Sequence, residues 1–232
     1  MTDRSGRAYP GLARIIPRLD ILPDPQREVW KRLALLPVDA VLYGGTALAL
    51  RLGHRASLDF DLFLPRSFQP GDMAREIAAV EPTETAMSAD NTLVVRVGDV
   101  LVSLFGVKLR AVGAPEVAAD IGLPIASLLD LGATKMAAVV DRAEAKDYLD
   151  VAALLDAGMD IADMLGAAQA VFGPRFSPLL ALKALTSFAD GDLPSLDGRI
   201  QRRLTTAATN VARIPVVGAR TDTVSPFDIP GG

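Results

Sequence analysis

The 232-residue chain contains no cysteine. That excludes disulfides, thiolate metal sites and cysteine nucleophiles, and it fits a reducing compartment. Aromatic residues make up 5% of the chain, and His54 is the single histidine. An excess of basic charge is missing as well. With 24 Lys and Arg against 28 Asp and Glu, the formal charge is -4, which argues against a general nucleic-acid coat and leaves room for a local basic surface. The stretch Met1-Thr2-Asp3-Arg4-Ser5-Gly6-Arg7 carries charge with no apolar core behind it, so no secretory signal is expected. No long apolar run is present either. The most hydrophobic window, residues 121–140, is interrupted by Pro124, Asp130 and Lys135 and reads as a strand plus an amphipathic helix rather than a membrane span. A cytoplasmic protein is the expectation, with no membrane partner.

What the chain does have is an Ala/Leu/Val-rich half, enough for one large domain or two modest lobes. Asp24 as N-cap and Pro25 at the first helical position open the first firm element, whose Val29, Trp30, Leu33 and Leu36 recur at helical spacing. Residues 1–23 ahead of it read as an extended or loosely docked arm. A helix is expected over residues 71–80, and two strands, Thr92–Val97 and 100–107, meet in a tight turn at Gly98-Asp99. From Ser127 the pattern is helical: 127–142, 144–157, 161–172, 178–189 and a basic stretch 199–213, with breaks at Gly158, Gly173-Pro174 and Gly191. Residues from Ile214 show no periodicity and read as a flexible tail. The domain reading is therefore an arm (1–23), an α/β domain (24–122), a helical lobe (123–213) and a tail (214–232).

The most informative segment is Tyr43-Gly44-Gly45-Thr46 followed by Asp59-Phe60-Asp61. Residues 39–43 read as a short buried strand that delivers two glycines to the start of a helix, 46–52. Such a turn lets backbone N–H groups approach a phosphate closely, and the helix N-terminus favours its charge. Residues 58–63 alternate in the strand period, so Asp59 and Asp61 share one face while Phe60 and Leu62 take the other. Two carboxylates about 7 Å apart at the end of a buried strand repel unless a cation lies between them. Magnesium carrying a nucleoside triphosphate is the natural cation, with Asp59 and Asp61 as ligands and Gly44, Gly45 and Thr46 around the phosphates. For Thr46 a second reading stands, that its hydroxyl caps its own helix.

Further along, Lys135, Arg142 and Lys146 are spaced by seven and four residues, which on a continuous helix makes one cationic stripe able to bind a triphosphate. Against this stands pairing of Arg142 and Lys146 with Glu144, Asp141 or Asp150 on a solvated face. Lys135 sits among Ala133, Met136 and Ala137, where a lysine seeks a partner. His54 and Arg55 lie in the turn before Asp59; the histidine could orient a carboxylate, and Arg55 could hold an aspartate or a phosphate. Ser57 could cap that turn. Phe60, Phe63, Leu48 and Leu50 are core candidates.

The block Leu42-Tyr43-Gly44-Gly45-Thr46-Ala47-Leu48-Ala49-Leu50, then Gly53-His54-Arg55-Ala56-Ser57-Leu58-Asp59-Phe60-Asp61-Leu62-Phe63, resembles the signature of the AbiEii/AbiGii toxin family of nucleotidyltransferases. A second block, Lys135-Met136-Ala137-Ala138, Arg142 and Lys146-Asp147-Tyr148-Leu149-Asp150-Val151, is similar to that family's downstream motif. The resemblance spans roughly residues 38 to 156. It implies a polymerase-beta-like nucleotidyltransferase domain, a small mixed α/β sheet, with a C-terminal helical lobe and a site in the cleft between them. It further implies a toxin of a toxin–antitoxin or phage-defence system that transfers a nucleotide from a nucleoside triphosphate to a hydroxyl with Mg2+, for which the acceptor can be a tRNA end and a cognate antitoxin is the restraining partner. The same parts serve an enzyme that modifies a small molecule, and a binding module that has lost catalysis. Many such enzymes add a third carboxylate from a neighbouring strand, a place taken here by Ser103, so Asp147 is the substitute expected as general base. Its other reading is a helix N-terminal aspartate favoured by the helix dipole.

Overall fold

The computed structural model describes residues 11–36, 39–107 and 110–220. Within them the strands are β1 (Arg14–Ile15), β2 (Val41–Tyr43), β3 (Phe60–Leu64), β4 (Glu84–Ala89), β5 (Thr92–Val97), β6 (Val100–Gly106), β7 (Glu116–Ala118) and β8 (Pro124–Ile125). They form one mixed sheet in the order β1-β7-β8-β2-β3-β6-β5-β4. The helices are α1 (Asp24–Leu33), α2 (Gly44–Leu52), α3 (Pro70–Ala78), α4 (Leu128–Asp141), α5 (Ala145–Asp156), α6 (Ile161–Phe172), α7 (Pro178–Ala184) and α8 (Gly198–Thr209). The chain separates into two compact units. One holds the described residues up to 107 with Ala114–Ser127, and the other holds Arg110–Gly113 with Leu128–Arg220.

The first unit is built around β2 and β3. Every residue of β2 is buried, as expected of a strand flanked on both sides, by β3 antiparallel and β8 parallel. Along β3, Phe60, Leu62 and Leu64 are fully buried while Asp61 and Phe63 are half-buried, so the period-2 alternation turns one face into the core and leaves the other for chemistry. The core side is closed by α1, whose Trp30 ring stacks near Phe60 at 6.2 Å and whose indole N–H donates to Asp120 at 2.7 Å. Helix α2 has Ala47, Leu48, Ala49 and Leu50 all at 0% exposure. A helix apolar on all sides is an interior helix, and its first turn is fixed by that packing.

Several expectations are corrected. Helix α1 begins at Asp24, with Pro23 in the cap position and no side-chain cap; the Asp24 carboxylate pairs with Arg27 instead. Strand β3 starts at Phe60, so Asp59 precedes the ladder rather than lying in it. Phe63 is not core but half-buried, between the rings of Tyr43 (4.8 Å) and Phe105 (5.1 Å). The expected arm is tied down from Ala13: its carbonyl accepts from Val117 N, β1 pairs with β7, Arg18 N donates to Leu50 O, and Leu22 is buried. Residues 1–10 of it lie outside the described residues.

In the second unit, α4 and α6 pack so closely that a Cβ on Gly132 would lie 2.7 Å from the Met164 side chain. Asp130 accepts from the backbone N–H groups of Val112 and Gly113 at 2.8 and 3.0 Å, which ties residues 110–113 to α4. The first part of the expected tail is seated here. The Pro215 carbonyl and Val217 lie over Gly166 of α6, and Arg220 N donates to Ala111 O at 2.6 Å. The rest of that tail, from residue 221, lies outside the described residues. Among the described residues no helix is long and apolar enough to cross a membrane.

Candidate active site

The glycine turn and the acidic strand come together in the first unit. Tyr43 at the end of β2 is the register partner of Asp61, and the chain turns directly into α2 through Gly44. Gly44 has φ +76, and a Cβ there would lie 2.2 Å from Asp61 Oδ2. Both the backbone conformation and the nearness of the carboxylate require glycine. At Gly45 a Cβ would lie 2.6 Å from Arg55 Nη2 and 3.0 Å from Ser57 Oγ. The carboxylate of Asp61, the guanidinium of Arg55 and the hydroxyl of Ser57 therefore all bear on the two glycines that open α2. Ser57, expected at most as a turn cap, is thus part of this cluster; a polar residue beside Arg55 carried no periodic signal that could have placed it here.

Thr46 is placed differently from either reading made of it. It is 1% exposed, and its hydroxyl donates to the Asp59 carbonyl. The cap position of α2 belongs to Tyr43. Thr46 thus ties the segment bearing Asp59 to the glycine turn rather than offering its hydroxyl to a phosphate. Asp59 itself is exposed. His54 lies half-buried in the loop after α2.

Ser103 of β6 is the register partner of Asp61 across the parallel pair of β3 and β6. The neighbouring-strand position that a third carboxylate would take is therefore occupied by a hydroxyl. Among the described residues no three His, Asp or Glu side chains gather as a metal-binding group. Two carboxylates suit Mg2+, which keeps waters and takes the remaining oxygens from a bound triphosphate. Asp59 and Asp61 are the residues that could hold such an ion.

The downstream block forms a second cluster, within the second unit. Lys135 of α4 is 5% exposed and donates to Asp147 Oδ1 at 2.7 Å; its Nζ is also 2.6 Å from Asp150 Oδ2. Arg142 grips Asp147 with both Nε (2.7 Å) and Nη2 (3.2 Å). Asp147 and Asp150 are fully buried. Burial pushes the Asp147 carboxyl up, but the hydrogen bond from Arg142 and the charge and hydrogen bond of Lys135 outweigh it, and the group stays below the ordinary aspartate value. Buried Lys135 and the exposed Arg142 together balance the two buried carboxylates, the condition under which such charges are tolerated inside a protein.

The continuous cationic stripe is not formed. Helix α4 ends at Asp141 and α5 starts at Ala145, and the break turns Lys135 and Arg142 toward Asp147 and Lys146 away from it. Lys135 points inward to Asp147 and Asp150, and Arg142 meets them at Asp147. Lys146 pairs at the surface with Glu144 at 2.7 Å.

Comparison with known proteins bears on the family and the fold. Residues 29–210 match the family described as nucleotidyl transferase AbiEii toxin, type IV TA system. An uncharacterized protein of Aquifex aeolicus (strain VF5) is 31% identical over 134 residues, 56% of this chain and 65% of that protein, so the chain spans just under two thirds of that relative. Among solved structures, MenT4, nucleotidyltransferase toxin Rv2826c from Mycobacterium tuberculosis H37Rv, superposes with a TM-score of 0.54 at 16% identity, covering 79% of this chain and 82% of that one. A protein of H. pylori assigned as a nucleotidyltransferase gives 0.50 at 18% identity, covering 80% and 90%. At these identities the structural likeness establishes the nucleotidyltransferase fold. With the family match covering most of its length, the chain belongs to the AbiEii nucleotidyl transferase toxin family of type IV toxin–antitoxin systems.

Proposed function

We propose that this protein transfers a nucleotide from a nucleoside triphosphate to a hydroxyl of RNA, a tRNA end being the acceptor, and that a cognate antitoxin restrains it. The observation that carries the reading is the placement of the Asp61 carboxylate over Gly44, at the N-terminus of a buried helix. Negative charge is brought there beside backbone N–H groups that favour phosphate, and a divalent cation reconciles the two. The family's toxins belong to toxin–antitoxin systems, which supports the antitoxin; the acceptor is a reading from the resemblance. A reducing cytoplasm, where magnesium and nucleoside triphosphates are abundant, is the proposed site of action.

Gly44 and Gly45 present N–H groups to the triphosphate, and Arg55, with Ser57 beside it, binds phosphate oxygens by charge-assisted hydrogen bonds. Asp59 and Asp61 would hold the metal, and Thr46 fixes the spacing between the Asp59 backbone and the turn. Bound Mg2+ would neutralise charge developing on the leaving pyrophosphate and lower the pKa of the acceptor hydroxyl. Lys135 joins Asp147 and Asp150 in a buried ion-pair cluster that ties α4 to α5. Arg142 locks Asp147 in turn, and Lys146 adds positive charge at the surface. Asp147, the sequence-based choice for general base, is reassigned as a positioning residue: buried and held ionised by two cations, it is a weak proton acceptor.

The test is incubation of the purified protein with Mg2+, each α-labelled nucleoside triphosphate in turn, and total bacterial tRNA. Label on RNA that is lost in Asp61→Asn supports the proposal. Label on a small molecule in an added aminoglycoside control, with none on RNA, would replace it by antibiotic-type modification. Nucleotide binding without turnover would replace it by a binding module.

A further inference from the structure

Residues 198–220 hold five arginines, Arg199, Arg202, Arg203, Arg213 and Arg220, and no acidic residue. All 28 carboxylates lie elsewhere in a chain whose net charge is -4. Three of the five, Arg199, Arg202 and Arg203, share one surface. On α8 the buried side is carried by Leu204 and Ala208, and the exposed side by Arg199, Arg202, Arg203, Thr206 and Thr209, the i, i+3, i+4, i+7 stripe of a helix facing water. Arg199, Arg202 and Arg203 line an open groove of about 570 Å³ together with Thr206, Ala207 and Leu155.

Some of this charge is balanced and some is not. Arg199 pairs with Asp197 at 3.2 Å and Arg203 with Asp156 at 2.7 Å, both as exposed pairs, which exchange readily for a stronger anion. Arg202, Arg213 and Arg220 make no ion pair among the described residues. The exposed stripe is guanidinium and hydroxyl, and no large apolar residue is exposed on α8. A row of arginines and threonines without an exposed aromatic or large apolar anchor matches a phosphodiester backbone, which takes bidentate guanidinium contacts and hydroxyl donors.

We infer that the α8 arginine stripe is the surface on which the protein holds the phosphate backbone of its RNA. The inference rests on the reading of RNA as acceptor and adds to it a docking face that is separate from the nucleotide-binding residues in sequence. These contacts read backbone and not base, so they supply affinity with little sequence preference, and that affinity falls with salt as counterions are released.

The experiment is fluorescence anisotropy of a labelled tRNA against the full-length protein from low to moderate salt, with no nucleotide present. The wild type is compared with the triple variant Arg199→Gln/Arg202→Gln/Arg203→Gln and with Asp61→Asn. The triple variant should bind about 10- to 100-fold more weakly, with the salt slope of log affinity reduced by roughly two units, at about 0.7 per lost contact. Its binding of a nucleoside triphosphate should be unchanged, which separates the loss from misfolding. Asp61→Asn should bind tRNA as the wild type does. Failure of the functional reading has a different signature: RNA is bound through α8 but never labelled. Triple-variant binding with wild-type affinity and slope would overturn the docking face. So would loss of a co-purifying antitoxin with RNA binding intact, which would make the stripe a protein interface.

Discussion

Asp61 Oδ2 occupies the space that a β-carbon on Gly44 would need, the two positions being 2.2 Å apart. The left-handed φ of +76 at the same residue means that glycine is demanded twice, by conformation and by the carboxylate. Gly44→Ala should therefore lose about 1–2 kcal/mol from backbone strain alone and more if Asp61 cannot move. Displacing that carboxylate by an ångström should cost nucleotide transfer ~100-fold. Thermal unfolding and a transfer assay on the same preparation check both; an active, equally stable Gly44→Ala would show that Asp61 does not work from this position.

Thr46→Val keeps the volume of a buried side chain and removes the hydroxyl that holds the Asp59 carbonyl. The expected loss of stability is about 1 kcal/mol. The larger effect should be a raised Mg2+ concentration for half-maximal transfer, because the Asp59 segment is no longer pinned to the glycine turn. A titration of activity against Mg2+ reads this directly. An unchanged magnesium requirement would leave Thr46 a purely structural role.

Lys135→Met removes the ammonium that two buried carboxylates share, and removing one side of a buried charge cluster costs about 3–5 kcal/mol. Adding Asp150→Asn should recover part of it, since the two sites share one interaction. Because the folded pKa of Asp147 lies below the ordinary aspartate value, its contribution to stability is fully present above that value. It is lost as pH falls from the ordinary aspartate value through the lowered folded one. Asp147→Asn should therefore flatten the acid limb of the stability profile, measured by urea unfolding from neutral to acidic pH. A profile with the same acid limb in wild type and variant would remove the ion-pair network from the explanation of its stability.

Ser103 neighbours Asp61 without a charge, and the proposed chemistry places no proton on it. Ser103→Ala should leave the rate of transfer within about threefold, as expected for a residue making no contact that strengthens in the transition state. A loss of tenfold or more would make Ser103 part of the reacting centre.

Where the sequence carried a strong periodic signal, it told the structure closely. Strand β5 was legible to the residue and β6 to within one, because they alternate cleanly about a Gly-Asp turn, and α4, α5 and α6 were legible to within one residue at each end. Strand β4 was not, since it is an exposed edge strand and Glu84–Ala89 has no buried face to impose alternation. Strands β1 and β7 are two and three residues long, too short for any period to register, whereas β8 falls in the strand read at the start of residues 121–140. At the site, Gly44, Gly45 and Asp61 were legible from the turn and the alternation. The position of Asp59 just outside the ladder was not, and neither was the Thr46 hydroxyl turning back to its carbonyl. The misjudged stripe of Lys135, Arg142 and Lys146 came from reading residues 127–142 and 144–157 as nearly continuous. The break at residues 142–144 turns Lys135 and Arg142 to Asp147, a partner that spacing alone does not reveal, whereas Lys146 takes Glu144, the surface pairing already open in the sequence.

The most direct test of the proposed site is binding of Mn2+, as a paramagnetic stand-in for Mg2+, in the presence of a non-hydrolysable nucleoside triphosphate. It is to be followed by electron paramagnetic resonance for wild type, Asp59→Asn and Asp61→Asn. Nucleotide-dependent Mn2+ binding that weakens at least tenfold in both variants, with their melting temperatures kept, is the predicted result. Wild-type binding in either variant would contradict a metal–nucleotide site built on these two carboxylates.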